Sequence, residues 1–597
     1  MLKSIVAILV TALLVLPVSF HPAHDKPFQE RLKEGLSPAR VATEAGQEEN
    51  TTPLQAVKWS MLELPLQAQS SYDNPYVDVT VTATFTGPTG SGITKNTQGF
   101  WDGGHTFKVR FTPTIAGTWV YSIKSTPSDA GLVRSGTIKV SEQDPAEHGF
   151  LRRDPFRPYN FVFDDGTHFF IMGQTYYDII ENVAGGGSWK KAIRNSKSYG
   201  FDKVRILLYS WGPAPSLNGA LFKDIIPYDR GTRAHKQNMY STGDHDRVNI
   251  SFWRKLDNLI SYLKSEGMIA DIILFSDGDY TYGTNTQNSR YIRYVLARLS
   301  AYTNVIWCMA NEYDYIPPWA TGSEAVAKAN GFTDGEGYTA ADAQLNFLGT
   351  GVHENDPYMM SDSIASAPRP LSSHQHSQLA FLWYNLAGTV LASNWFTIAS
   401  IQAHTFYPSD AASWTSIYGD VNGNKGSLTN RTHDMPIVNE EYSYAGNGDT
   451  RTVARNAIWG IVIGGGYGTF GGDLTPPSFP IFSGEWVNQP LFYGDIKVMM
   501  NFMTRLPYWD MTPRNDKVSS SESRVYALGM AGNYILYVAN GGTFIFNAAP
   551  SSTCLVERLD PRLGATTFLG VRSHSFSLST PVGSQDYVYH VYGSGCQ

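Results

Sequence analysis

Val305-Ile306-Trp307-Cys308-Met309-Ala310-Asn311-Glu312 is a short apolar run that ends on an amide and a carboxylate. Met435-Pro436-Ile437-Val438-Asn439-Glu440-Glu441 has the same form. Both read as strands of a parallel sheet, buried on both faces. In a parallel (β/α)8 barrel the side chains that do chemistry stand at the C-terminal tips of the strands. Glu312 and Glu441 each take that place.

Working outward, strands alternate with helices from about residue 150. Phe169–Gly173 reads as a first strand, Trp189–Tyr199 as a helix and Lys203–Tyr209 as a second strand. Asn249–Glu266 places Phe252, Leu256, Leu259, Ile260 and Leu263 on one face, and Gly267 ends it. Ile269–Phe275 is a third strand, Tyr291–Tyr302 a helix and Val305–Ala310 the fourth strand. Tyr358–Ser361, Phe396–Ala403, Pro436–Asn439 and Tyr467–Phe470 complete eight. This alternation calls for a parallel barrel or an open parallel sheet. Glu441 lies 129 residues after Glu312, where three minimal βα units need about 93. Asp314–Asn346 and Ser409–Asp434, rich in Gly, Ser, Thr and Asn, are the expected insertions.

The flanks have a different period. Val77–Phe85, Phe107–Phe111, Thr118–Ile123 and Ser135–Val140 read as strands with no helix between them, which indicates a β-sandwich. Beyond residue 515 helical periodicity disappears again. Arg524–Leu528, Tyr534–Ala539 and Tyr587–Tyr592 read as strands of a small C-terminal β domain.

The chain has 597 residues, enough for about three or four units. Its net charge is -7 and it has no basic run, which argues against nucleic acid as a partner. It holds 34 Tyr, 30 Phe and 14 Trp, rings that suit either sugar stacking or a large core. Residues 1–20 carry one Lys before an apolar run broken by Pro17, the pattern of a secretory signal. An uncleaved N-terminal anchor is the alternative, and no further stable membrane span is expected. The body is thus expected outside the cytosol, secreted, extracellular or periplasmic. Cys308 is expected buried and free, and Cys554 and Cys596 are candidates to pair. Asn50, Asn249 and Asn430 stand in glycosylation sequons. No zinc spacing, phosphate-binding glycine loop or serine elbow is present in the sequence, so neither cofactor nor metal is expected.

Two carboxyls at facing strand tips suit cleavage of a glycosidic bond, which needs one protonated and one ionised group. Asn311 is placed to bind a sugar hydroxyl, and Arg205 to pair with the ionised carboxylate. His404 and Tyr407, after the sixth strand, are candidates to orient a carboxylate or bind sugar, and Asp178, after the first, to bind substrate, ligate a cation or serve as a loop polar group. Each has a plainer role open to it. A Glu after a strand also serves as a helix cap, Arg205 as an internal ion-pair partner, and His404 as a hydrogen-bonded structural group. Asp277 and Asp279 read as loop residues. Adjacent strand residues point to opposite sides, so the choice between Glu440 and Glu441 stays open on this ground. Trp59 and Trp101 are sugar-binding candidates in the sandwich, with core burial the alternative.

At these residues the chain resembles the apiosidase-like glycoside hydrolases. The resemblance covers about residues 55–597. It rests on Tyr72–Tyr76, Gly99–Gly103, Arg110–Pro113 and Gly117–Tyr121 in the first domain. In the central domain it rests on Trp307–Asp314, Pro436–Tyr444 and Ala457–Gly471. Ala539–Gly542 and Asp560–Gly564 carry it in the last. It implies a (β/α)8 TIM-barrel catalytic domain flanked by an N-terminal Ig-like β-sandwich and a C-terminal all-β domain. It makes Glu312 the acid/base and Glu441 the nucleophile, with Glu440 the flanking acidic residue and Tyr444 a supporting one. Some members carry Asp where this chain has Glu312, so apiosidase specificity does not transfer.

The expected organisation is a signal over 1–20, a linker over 21–54, a sandwich over 55–143, a barrel over 148–510 and a β domain over 515–597. The expected activity is retaining hydrolysis of a polysaccharide or oligosaccharide. The alternatives are a non-catalytic carbohydrate-binding surface protein on a barrel scaffold and an inverting hydrolase with an Asp base.

Overall fold

The computed structural model describes residues 49–176, 179–185, 188–208, 245–275, 283–311, 337–359, 369, 371–372, 374–375, 395–401, 434–445, 450–473, 490–521, 524–582 and 585–597. These lie in one compact unit, Gly46–Gln597. The expected signal over 1–20 lies outside them. None of their helices is long and apolar enough to cross a membrane.

The chain opens with β1 (Glu49–Val57), β2 (Leu62–Gln67), helical turn α1 (Pro75–Asp78), β3 (Thr80–Thr86), β4 (Thr94–Trp101), β5 (Thr106–Phe111), β6 (Gly117–Thr126) and β7 (Arg134–Ser141). The strand order is β1-β7-β6-β3-β4-β5-β2. β4 serves two sheets: its first half pairs with β3, and Gly99–Trp101 pair with β5. A β-carbon at Gly99 would stand 2.8 Å from Val81 Cγ1, so the crossing needs glycine. Alternation builds the core. Val81, Ala83 and Phe85 are buried, while Thr82, Thr84 and Thr86 are exposed. Phe85 of one sheet stacks on Phe111 of the other, ring centroids 3.9 Å apart. Two details differ from expectation. β1 starts inside the stretch read as linker and pairs in parallel with β7. Val77 lies in a helical turn, because Pro75 pre-sets it and the Asp78 carboxylate accepts from Asn74 N at 2.7 Å.

A small antiparallel sheet follows, made of β8 (Leu151–Arg153), β9 (Phe161–Phe163) and β10 (His168–Phe169). The pairing then becomes parallel. β11 (Met172–Thr175), β12 (Lys203–Leu207), β13 (Ile269–Phe275) and β14 (Val305–Ala310) pair in chain order. The short pieces β15 (Leu371–Ser372) and β16 (His374–Gln375) flank position 373. The first pairs with β14 and the second with β17 (Ala399–Ile401). β17 pairs with β18 (Ile437–Asn439). After the short β19 (Tyr444–Ala445), β20 (Tyr467–Phe470) pairs with β18 on one side and β11 on the other. All these pairings are parallel, and the order β15-β14-β13-β12-β11-β20-β18-β17-β16 is a barrel-like sheet whose two end strands are neighbours in the chain. β19 pairs with β21 (Gly472–Asp473).

Two barrel strands are corrected. The first begins at Met172, because Phe169 belongs to the antiparallel sheet before it. The fifth is the 371–375 segment, not Tyr358–Ser361. Tyr358 is buried for another reason: its ring stacks on Phe150, centroids 4.6 Å apart, and its hydroxyl accepts from Thr112 N.

The helices are α2 (Ile179–Gly185), α3 (Trp189–Ser198), α4 (Ile250–Ser265), α5 (Asn285–Leu299), α6 (Gly337–Asn355), α7 (Arg451–Ile463) and α8 (Pro490–Met503). Asn249 caps α4, its Oδ1 accepting from Phe252 N, and at 5% exposure it is closed to glycosylation. α5 starts six residues before the expected Tyr291, set by a capping box of Thr284 and Gln287. Strands between Thr512 and Tyr592 form a six-stranded and a three-stranded antiparallel sheet. There Cys554 and Cys596 form a disulfide, and Cys308 is free and buried in β14.

The N-terminal sheets dock on α4 and α5 through buried ions. Arg110 of β5 and Arg298 of α5 reach Asp257 of α4 at 2.8 and 2.7 Å, and Arg298 also meets Asp102 at 3.0 Å. Asp257→Ala takes one anion from each guanidinium, while Glu63 stays with Arg110 at 2.9 Å and Asp102 with Arg298. A loss of about 1–3 kcal/mol is expected in urea unfolding.

Asp202, just before β12, accepts from Met172 N at 2.7 Å. Burial pushes its carboxyl up to about 7, against the pull of that hydrogen bond and of Lys197 and Lys203. The folded chain therefore keeps a proton that the unfolded chain releases near pH 4. Stability from this group is full below that pH and is lost as pH rises towards 7. Asp202→Asn is expected to exceed wild type in urea unfolding at pH 8, with the gap closing towards pH 4.

Candidate active site

Lys203 and Arg205 are two residues apart on β12, so they share a face at successive levels of the barrel. Both side chains are buried, Arg205 completely at 0% exposure. A guanidinium in such a place must find acceptors. Arg205 Nη1 donates to Glu441 Oε1 at 2.8 Å, and Nη2 donates to Asn311 Oδ1 at 2.6 Å. The planar fork thus ties the tip of the fourth strand to the tip of the seventh. Glu441 is 3% exposed, and its backbone N–H donates to Asn439 Oδ1 at 3.4 Å.

One level below, Lys203 Nζ donates to Glu440 Oε2 at 2.6 Å and to Asp271 Oδ2 at 2.9 Å. Thr469 Oγ1 donates to Glu440 Oε2 at 2.6 Å, and Ser400 Oγ to Oε1 at 3.4 Å. Gly173 makes room for the lysine, since a β-carbon there would stand 2.5 Å from Lys203 Cε. Burial alone would lower the Lys203 pKa, but Asp271 and Glu440 outweigh it and raise it. Burial pushes Asp271 up; Lys203 opposes this and the charge of Glu440 adds to it. The two acids that neighbour each other in sequence therefore hold different cations. Glu440 belongs to an internal ion cluster across β12, β13, β17 and β20. Glu441 shares Arg205 with Asn311.

The structure thus brings together Arg205, Asn311 and Glu441, with Glu440 beneath. Tyr444 lies on β19, paired with Gly472. Glu312, Asp178, His404, Tyr407, Asp277 and Asp279 lie outside the described residues. Trp59 is a buried residue of the core, and Lys58 Nζ stands 3.9 Å from its ring centroid. Among the described residues no group of three or more His, Cys, Asp or Glu side chains is placed to hold a metal ion. Sequence reasoning missed Lys203 and Asp271. The signal was available: Asp271 interrupts an apolar strand and Lys203 opens one, and a charge there needs a partner.

Lys203→Met strands two buried carboxylates. The expected cost is about 3–5 kcal/mol at pH 7. It should shrink towards pH 5, as Asp271, which burial already pushes up, takes up a proton once Lys203 is gone. Urea unfolding at the two pH values measures it.

A family model for a domain of unknown function (DUF5060) matches residues 55–126. The model described as apiosidase-like, catalytic domain matches residues 158–474. The comparison with curated proteins found no match. Among solved structures, a provisionally assigned glycoside hydrolase from Bacteroides vulgatus ATCC 8482 is 23% identical, with a TM-score of 0.66 over 90% of this chain and 99% of that one. A family 5 glycoside hydrolase from the same organism is 13% identical, with a TM-score of 0.54 over 75% and 94%. These likenesses are of fold. The catalytic-domain match spans more than half of the sequence and includes β11 to β20 with Arg205, Asn311, Glu440 and Glu441. The chain belongs to the apiosidase-like glycoside hydrolases.

Proposed function

We propose that the chain is a retaining glycoside hydrolase, with Glu441 the nucleophile and Glu312 the acid/base. The observation that carries this reading is the Arg205 fork, 2.8 Å from Glu441 and 2.6 Å from Asn311. The guanidinium favours the ionised form of Glu441, which a nucleophile requires. It also holds Asn311, the neighbour of Glu312, at the facing strand tip. In the first step Glu312 protonates the leaving oxygen while Glu441 bonds to the anomeric carbon. In the second, Glu312 takes a proton from water, which displaces Glu441. Asn311, Asp178, His404, Tyr407 and Tyr444 are assigned to substrate contact or support. Glu440 is a positioning residue held by Lys203. The substrate is a polysaccharide or its oligosaccharides, and the flanking β units brace the barrel. Export through residues 1–20 agrees with the Cys554–Cys596 disulfide, a bond that persists in oxidising compartments.

The test is reducing-sugar release from plant, algal and microbial polysaccharides. Glu312→Gln should lower kcat/KM by about 10²–10⁴-fold, and Glu441→Gln by at least as much. NMR of the first product should find the anomeric configuration retained. Inversion would replace double displacement with a single step, and full activity in Glu441→Gln would remove it as nucleophile. Binding without release from any glycan would favour a carbohydrate-binding protein.

A further inference from the structure

Among the described residues, the charged layer inside the barrel sets two cations, Lys203 and Arg205, against three carboxylates, Asp271, Glu440 and Glu441. Each of the five is at most 3% exposed, so water does little to screen the odd charge. The hydrogen bonds show where the excess lies. Glu440 accepts from Lys203 Nζ, Thr469 Oγ1 and Ser400 Oγ, which engage both of its oxygens. Glu441 accepts from the Arg205 fork at 2.8 Å. Asp271 Oδ2 takes the longer of the two Lys203 contacts, 2.9 Å against 2.6 Å, and its Oδ1 has no hydrogen-bond partner among the described residues.

Asp271 and Arg205 are register partners on neighbouring strands. The charges that act on the Asp271 carboxyl are Lys203, Glu440 and Arg205. Burial foremost, and then Glu440, push it up against both cations. Asp202, next to Lys203 in the chain, titrates near pH 7 and is common to every variant compared below. The carboxylate with the fewest donors thus stands beside the guanidinium that serves the proposed nucleophile.

Glycoside cleavage would change this count. In the first step a Glu441 oxygen gives an electron pair to the anomeric carbon, the bond to the leaving oxygen breaks, and the Glu312 proton goes to that oxygen. Glu441 becomes a neutral ester, and two carboxylates remain for two cations. A like charge in a water-poor interior destabilises an anion. The excess therefore favours each state in which Glu441 has given up charge, and the positive charge that develops on the sugar. We propose that Asp271 is a positioning residue for the nucleophile: its charge exceeds what the buried cations balance until Glu441 gives up its own. It acts through Lys203 and Arg205, from inside the barrel. The catalytic half rests on the hydrolase reading; the repulsion between Asp271 and Glu441 does not.

A double-mutant cycle in the full chain tests the repulsion without substrate. At pH 7 Glu441→Gln should lower the urea midpoint less in wild type than in Asp271→Asn, where it leaves Lys203 and Arg205 with Glu440 alone. The difference should close as pH falls and Asp271 takes up a proton, since burial holds its carboxyl above the usual range. Activity is read on the polysaccharide from which wild type releases most reducing sugar. There Asp271→Asn should lower kcat about tenfold, with little change in KM. The acid limb of its kcat/KM profile should move to lower pH, because Glu441 ionises more readily once the neighbouring anion is gone. Lost folding would lower activity without moving that limb. Asp271→Glu should move it back towards wild type. The proposal is overturned if Glu441→Gln costs the same in both backgrounds at pH 7, or if the acid limb of Asp271→Asn stays in place. Repulsion in the cycle with no hydrolysis of any glycan would remove the hydrolase reading alone. Hydrolysis that Glu441→Gln abolishes, with no repulsion in the cycle, would remove this proposal alone.

Discussion

The structure of the site depends on one buried guanidinium. Arg205 lies wholly inside the barrel, where an unpaired charge is expensive, so the fold must bring acceptors to it. The acceptors come from two strand ends far apart in the chain, Asn311 and Glu441. The planar fork sets direction as well as distance, which an ammonium would not do. The same demand recurs one level lower, where Lys203 gathers Asp271 and Glu440. Gly173, Thr469 and Ser400 make that lower layer fit, by leaving space or donating hydrogen bonds.

The flanking units act on the helices beside these strands. Arg110, Asp102, Asp257 and Arg298 fasten the N-terminal sheets to α4 and α5, which follow β12 and β13. Those are the strands that carry Lys203, Arg205 and Asp271. On the other side, Arg455 of α7 meets Asp586 at 2.7 Å, joining the C-terminal sheets to the helix between β18 and β20. Both units therefore restrain the layer that presents the proposed nucleophile. The two arrangements are alike in physics: charges removed from water hold a defined geometry only with their partners in place.

The seam serves docking. Tyr76 and Trp101 belong to the stretches that carried the family resemblance in the N-terminal unit. Part of that signal is contact with the barrel: the Tyr76 and Phe100 rings meet Tyr294 at 5.5 and 6.1 Å, and the Tyr294 hydroxyl donates to Trp101 O.

The sequence by itself determined the class of the fold and the strand tips worth attention. Val305–Ala310, Ile437–Asn439 and Tyr467–Phe470 were legible because a doubly buried strand is a local apolar run. α4 was legible because its apolar residues repeat with the helical turn. Cys308, buried and free, could be read from its strand alone. Only the tertiary structure decided the fifth strand, a broken segment that ring closure completes between β14 and β17. Tyr358 misled because contact with Phe150 leaves the same apolar mark as a strand. The tertiary structure also gave Glu440 and Glu441 their separate cations and paired Cys554 with Cys596. The two cation pairings depend on residues hundreds of positions apart, 205 with 441 and 203 with 440. Local period carries no information about such pairs, and the need of a buried charge for a partner does not name the partner until the barrel has closed.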